Sequence, residues 1–197
     1  MLVDIDSIMK KNDIHKKNEA SVIIDNSTDL HQAFIIKSKE KIAKYFGELQ
    51  NDVTYHFATA GRWSHYELMH YVLAQTGPAA VYFSTWKIND WVASNFFHLV
   101  NSGTITALYA ILEKRIPVTA PEAKDLIVSN CVKYKICDNH SKVIVIQNDK
   151  WNVVINGSAN MTINPRIEAG TLCTKKEIAD FHKHWILNEI ENGNEFI

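Results

Sequence analysis

The sequence predicts an α/β domain, a mixed β-sheet flanked by helices on both faces. Three observations carry this. Short β-branched or aromatic runs alternate with stretches of helical periodicity over residues 53–129. A strand-rich centre follows, with the apolar runs Val143–Ile146 and Trp151–Ile155 on either side of Gln147-Asn148-Asp149-Lys150. The chain has 197 residues with 46% hydrophobic and 22% charged, enough for one well-filled soluble domain spanning 1–197.

Taken in order, residues 1–20 read as a surface segment or short helix, and the role of residues 1–50 in the sheet stays open. Ser21–Ile24 is a short strand. Ala33–Ile36 is a second strand or the start of a helix. Ile42, Tyr45, Phe46 and Leu49 fall at helical spacing, which predicts a helix over 39–49. Val53–Ala58 is a strand, and Tyr66, Met69, His70 and Leu73 mark a helix that Gly77-Pro78 stops. Ala79–Ser84 is a strand with core-like composition. Asp90–Val100 is a helix capped by Asn89 or Asp90. Thr104–Leu112 is a strand, Pro121–Ser129 a short helix, and Cys131–Ile136 a strand. After the central hairpin, Gly170–Cys173 is a last strand. Thr174 with Glu177 forms a capping box for a final helix whose apolar face is Ile178, Phe181, Trp185 and Ile186.

The chemistry concentrates in 139–168. A hairpin of the two central runs brings its outer ends together: His140 and Lys142 on one side, Gly157-Ser158-Ala159-Asn160 on the other. An imidazole, an ammonium, a close backbone approach at glycine and neutral donors suit an oxyanion with several oxygens, above all a phosphate. Formal net charge is −1, which disfavours a wholly basic nucleic-acid binder but leaves room for a local positive cleft. Cys131, Cys137 and Cys173 show neither a disulfide framework nor a common zinc spacing, and no metal or cofactor is expected. With no leader pattern and no stretch of about 18 apolar residues, the expected location is the cytoplasm, with no membrane partner.

His140-Ser-Lys142 followed by Gly157-Ser158-Ala159-Asn160 resembles the paired motif of the phospholipase D-like superfamily, over roughly residues 50–187. Glu168 falls where that family often has an acidic residue supporting the histidine. The chain departs from the pattern at Gln147, where the family has aspartate, and at Arg166, where many members have asparagine. It carries one motif where family active sites use two, like the small bacterial endonucleases that work as homodimers. The resemblance therefore implies a phospholipase D-like fold and a homodimer sharing one metal-independent phosphodiesterase site. His140 would be the nucleophile, Lys142, Ser158 and Asn160 would stabilise the phosphoryl oxygens, and Glu168 would fix the His140 tautomer. Nucleic acid is the implied substrate, DNA ahead of RNA, with Gly157, Arg166, Lys150, Arg62 and Trp63 as candidate binding residues. The alternative is a non-catalytic nucleic-acid-binding module with a degenerate motif, or a hydrolase of phospholipids or small phosphodiesters.

Overall fold

A computed structural model describes residues 21–26, 29–36 and 42–192. Nine strands form one mixed sheet in the order β1-β2-β3-β9-β8-β7-β4-β5-β6. They are β1 Ser21–Asn26, β2 Asp29–Ile36, β3 Val53–Thr59, β4 Ala79–Thr85, β5 Ile105–Glu113, β6 Lys133–Cys137, β7 Val143–Gln147, β8 Asn152–Gly157 and β9 Glu168–Cys173. The helices are α1 Ala43–Phe46, α2 His65–Thr76, α3 Asp90–Asn101, α4 Ile116–Thr119, α5 Pro121–Asn130 and α6 Lys176–Asn192. β2 and β3 run parallel, as do β4, β5 and β6. Between these blocks β9, β8 and β7 form an antiparallel meander.

The unbroken apolar runs of β7 and β8 follow from helices covering both faces. Ile144, Ile146, Val153 and Ile155 join one core, with Met69 and Val72 of α2, Phe96 of α3 and Ile127 of α5. Val143, Val145 and Val154 point the other way, into a smaller core with Tyr82, Ile111, Ala179 and Ile186. The larger core ends in an aromatic group where Phe46 packs against Tyr55, Phe57 and Trp63. α2 begins at a full capping box. The Ser64 hydroxyl accepts from Glu67 N at 3.3 Å, and Glu67 Oε2 accepts from Ser64 N at 2.7 Å.

Several elements depart from expectation. The predicted helix over 39–49 shrinks to one turn, 43–46, because Gly47 takes a φ of 60° and ends it. Residues 39–41 of that prediction, the surface segment 1–20 and the stop at 193–194 lie outside the described residues. Ala33–Ile36 belongs to a strand, so β1 and β2 extend the sheet beyond β3. The short helix α4 was not foreseen. Thr174 does not cap α6: its buried hydroxyl accepts from Val53 N at 2.9 Å and donates to Gln50 O at 2.7 Å, tying the end of β9 to β3. On α6 the sheet takes the side bearing Ala179 and Ile186, while Phe181 stays 64% exposed.

Candidate phosphate site at the strand ends

The site is built by register. Asn148 turns the β7–β8 hairpin, its Oδ1 accepting from Lys150 N at 3.0 Å and Trp151 N at 2.9 Å. That turn pairs Gln147 with Asn152 and Val143 with Asn156. Lys142 thereby lies beside Gly157, whose N–H donates to Lys142 O at 3.4 Å. β8 and β9 then press together. A Cβ on Gly157 would sit 2.5 Å from Ala169 O and 2.7 Å from Gly170 Cα, both backbone atoms. Gly157→Ala is therefore expected to destabilise the fold by about 2–3 kcal/mol. That corresponds to a melting temperature lower by about 5–10 °C in a thermal scan.

All the groups around Lys142 lie at one end of the sheet. The carboxyl ends of β3, β4, β5, β6 and β8 meet the amino ends of β7 and β9 there, as the pairing registers require. In open α/β sheets the carboxyl strand ends are the usual ligand-binding edge. The loop carrying His140 is pinned to the end of β4. Asn139 Nδ2 donates to Thr85 O at 3.1 Å, and Ser141 Oγ lies 2.5 Å from Ser84 Oγ and 2.7 Å from Asn139 Oδ1. His140 itself is exposed.

Lys142 is the electrostatic centre. It is 8% exposed, and among the described residues no carboxylate forms an ion pair with it. Its Nζ donates to His140 O at 2.8 Å and lies 3.5 Å from His140 Nδ1. Burial pulls its pKa below the ordinary lysine value, against the opposing field of Glu168. Trp86 stands in for a counter-ion. Lys142 Nζ is 5.8 Å from its ring centre, Arg115 Cζ is 5.1 Å from it, and His140 approaches it edge-on. Arg115 is held by the buried carboxylate of Glu113, which accepts its backbone N–H at 2.7 Å and its Nε–H at 3.2 Å.

His65, the first residue of α2, completes the cluster. It is 2% exposed, and its N–H donates to Asn160 O at 3.0 Å. Its buried Nε2 and the buried Oδ1 of Asn160 have no hydrogen-bond partner among the described residues. Burial, reinforced by Lys142, lowers the His65 pKa to about 3. His65, Trp86, Glu113 and Arg115 all escaped sequence reasoning. The available signal was their position just after, or at the end of, a strand on the binding edge.

The expected site residues divide. His140, Lys142, Ser158, Asn160, Glu168 and Gly157 come together. Ser158 does not supply a donor, because its hydroxyl donates to Glu168 Oε2 and accepts from Ala169 N. Glu168 consequently holds Ser158, and no hydrogen bond joins it to His140. Gly157 serves strand packing, and its N–H is taken by Lys142 O. Lys150 lies on the hairpin turn, at the opposite end of the sheet from His140. Trp63 is 7% exposed inside the aromatic core and offers no face to a ligand. Arg62 lies in the loop after β3, its N–H on Thr59 Oγ1, and Arg166 is exposed in the loop before β9. Gln147 is committed to the far end of the hairpin. Its side chain bonds Asn152 at 2.7 Å, Asp180 at 3.1 Å and Lys183 at 2.7 Å.

No family model matches this chain, and no curated protein matches it. Among solved structures, a polyphosphate kinase from Porphyromonas gingivalis shares the fold, with a TM-score of 0.54 at 8% identity over 80% of this chain. The alignment covers 30% of the kinase, so the chain spans under a third of that protein's length. An archaeal chromatin protein with a novel mode of DNA binding aligns with a TM-score of 0.47 at 10% identity, covering 78% of this chain and 59% of that one. At these identities the likeness to the kinase concerns the fold alone. Among the described residues no helix is long and apolar enough to cross a membrane.

Proposed function

We propose that this chain binds the phosphodiester backbone of a nucleic acid at the strand ends around Lys142, and that a single chain holds the group without cleaving it. The observation that carries this is Lys142, a buried cation with no ion-paired carboxylate among the described residues. An ammonium held against a carbonyl, an imidazole and an indole face feels the field of Glu168, has lost most of its water to burial and lacks, among the described residues, a direct ionic contact. A phosphate oxygen supplies it. Arg115, whose Cζ lies 5.1 Å from the Trp86 ring centre, offers a second contact for a neighbouring phosphate.

The surroundings of His140 favour binding over cleavage. Its Nδ1 lies 3.5 Å from the Lys142 ammonium, and among the described residues no carboxylate accepts from it. A nucleophilic Nε2 needs a proton on Nδ1 donated to an acceptor such as a carboxylate. Glu168 is occupied by Ser158.

A second reading is favoured by the exposure of His140 at the rim of the site. In a homodimer, His140 of one chain would attack phosphorus and displace the leaving oxygen, which His140 of the partner subunit would protonate. Water would then hydrolyse the phosphohistidine. One experiment separates the two: labelled single- and double-stranded DNA and RNA, incubated in EDTA with wild type and His140→Ala. Binding by both proteins without cleavage is the result expected here. Cleavage that survives EDTA and disappears in the variant would establish the phosphohistidine reaction instead. An absence of both binding and cleavage would sink the nucleic-acid reading.

A further inference from the structure

His140 has a second neighbourhood. It also forms the wall of an open cleft of about 800 Å³ between its own loop and α6. Ile111 and Val143 line the floor, and Phe181, His182 and Trp185 of α6 form the opposite wall. This volume lies within the range of small-molecule sites. None of the groups assigned to phosphate binding, apart from His140, belongs to it.

The α6 wall explains why the helix is turned as it is. Its sheet-facing side is that of Ala179 and Ile186, both fully buried. Trp185 lies about 110° and Phe181 about 150° around the helix from that side, and both line the cleft. Phe181 is 64% exposed and lines the cleft. Phe181 meets the ring of His182 edge-on, and Trp185 Nε1 donates to His182 Nδ1 at 2.9 Å. That bond fixes the His182 tautomer with its proton on Nε2. Burial lowers the His182 pKa, so the ring presents a neutral donor. At the far end of the cleft Glu189 carries a carboxylate acceptor, bridged to Lys135 at 2.5 Å.

We infer that this cleft receives a nucleobase of the same strand whose phosphodiester lies at Lys142, with Phe181 as the stacking surface. The inference rests on the phosphate reading above and adds the chemistry of the attached group. Two features choose a base over an acyl chain. The wall is made of flat rings, which stack on any base. The cleft also holds a neutral imidazole donor, which an acyl chain would desolvate without satisfying and a base edge can pair with. His140 separates the two compartments, so a nucleotide with its phosphate on Lys142 has its sugar at His140 and its base against α6.

The test compares a short single-stranded DNA with an abasic strand of the same length and charge, by competition anisotropy in EDTA. The proteins are wild type, Phe181→Ala, Phe181→Trp and Lys142→Met. Wild type should bind the DNA about 10-fold more tightly than the abasic strand. Phe181→Ala should lose most of that preference and leave abasic binding unchanged, while Phe181→Trp should keep it. Lys142→Met should weaken both ligands. Equal wild-type affinity for the two strands, with Lys142 dependence intact, would overturn the base site and leave the phosphate reading standing. Tighter, Phe181-dependent binding to phosphatidylglycerol vesicles than to DNA would replace the base by an acyl chain. Neither strand responding to Lys142→Met would remove the phosphate reading and this inference with it.

Discussion

Lys142→Met is expected to weaken binding of short single-stranded DNA about 100-fold and, at the same time, to raise the melting temperature. The two effects come from one cause. A lysine side chain only 8% exposed, with no ion-paired carboxylate among the described residues, has lost most of its hydration and received a carbonyl, an imidazole and an indole in exchange. Methionine fills nearly the same volume, keeps contact with the Trp86 face and needs no solvation. Removing a desolvation cost that no direct ion pair offsets is expected to stabilise by about 1 kcal/mol, net of the lost field on Glu168 and the lost hydrogen bond to His140 O. The loss of affinity follows because a desolvated, charge-assisted contact to a phosphate contributes several kcal/mol. Binding isotherms at low salt, paired with thermal scans without ligand, check both signs. Weaker binding with a lower melting temperature would mean that Lys142 chiefly supports the fold. Unchanged binding would move the anion site elsewhere.

The frame of this site was legible in the sequence because it rests on local rules. Val143–Ile146 and Trp151–Ile155 with Asn-Asp-Lys between them can hardly be anything but a hairpin, and the Asn148 side chain turns it as such residues do. Juxtaposition of His140 and Lys142 with Gly157–Asn160 follows from that hairpin alone. His65, Trp86 and Arg115 reach the same place from the ends of β3, β4 and β5, and no local pattern announces which strands will be neighbours. Thr174 shows the opposite failure. The capping-box spacing to Glu177 is present in the sequence, but the buried ladder group Val53 N–H took the hydroxyl first. The apolar face of α6 was read correctly as a stripe and wrongly as one surface. Helical periodicity reports that Phe181 and Ile186 are apolar, and only the position of the sheet decides which is covered.

Acid should destabilise the protein through His65. Its pKa is 6.5 in the unfolded chain and about 3 in the folded one, so between these values the unfolded state binds the extra proton. Stability is therefore complete above pH 6.5 and falls as pH drops toward 3. The slope is about 1.4 kcal/mol per pH unit and the whole window corresponds to about 4–5 kcal/mol. His56 and His182, also lowered by burial, add to the same slope over shorter spans. Urea unfolding from pH 7 to pH 4 in wild type and His65→Gln isolates the contribution. The variant keeps the backbone N–H that bonds Asn160 O, and its curve should be flatter by about 1 kcal/mol per pH unit. Identical slopes would place the titration on another group. The field of Lys142 is the second cause of the His65 shift, after burial, so an anion bound at Lys142 should ease protonation of His65. Saturating DNA is thus expected to make the wild-type curve shallower and to leave the His65→Gln curve parallel to its ligand-free form. That coupling would tie the buried histidine to the anion site by a thermodynamic link that packing alone does not produce.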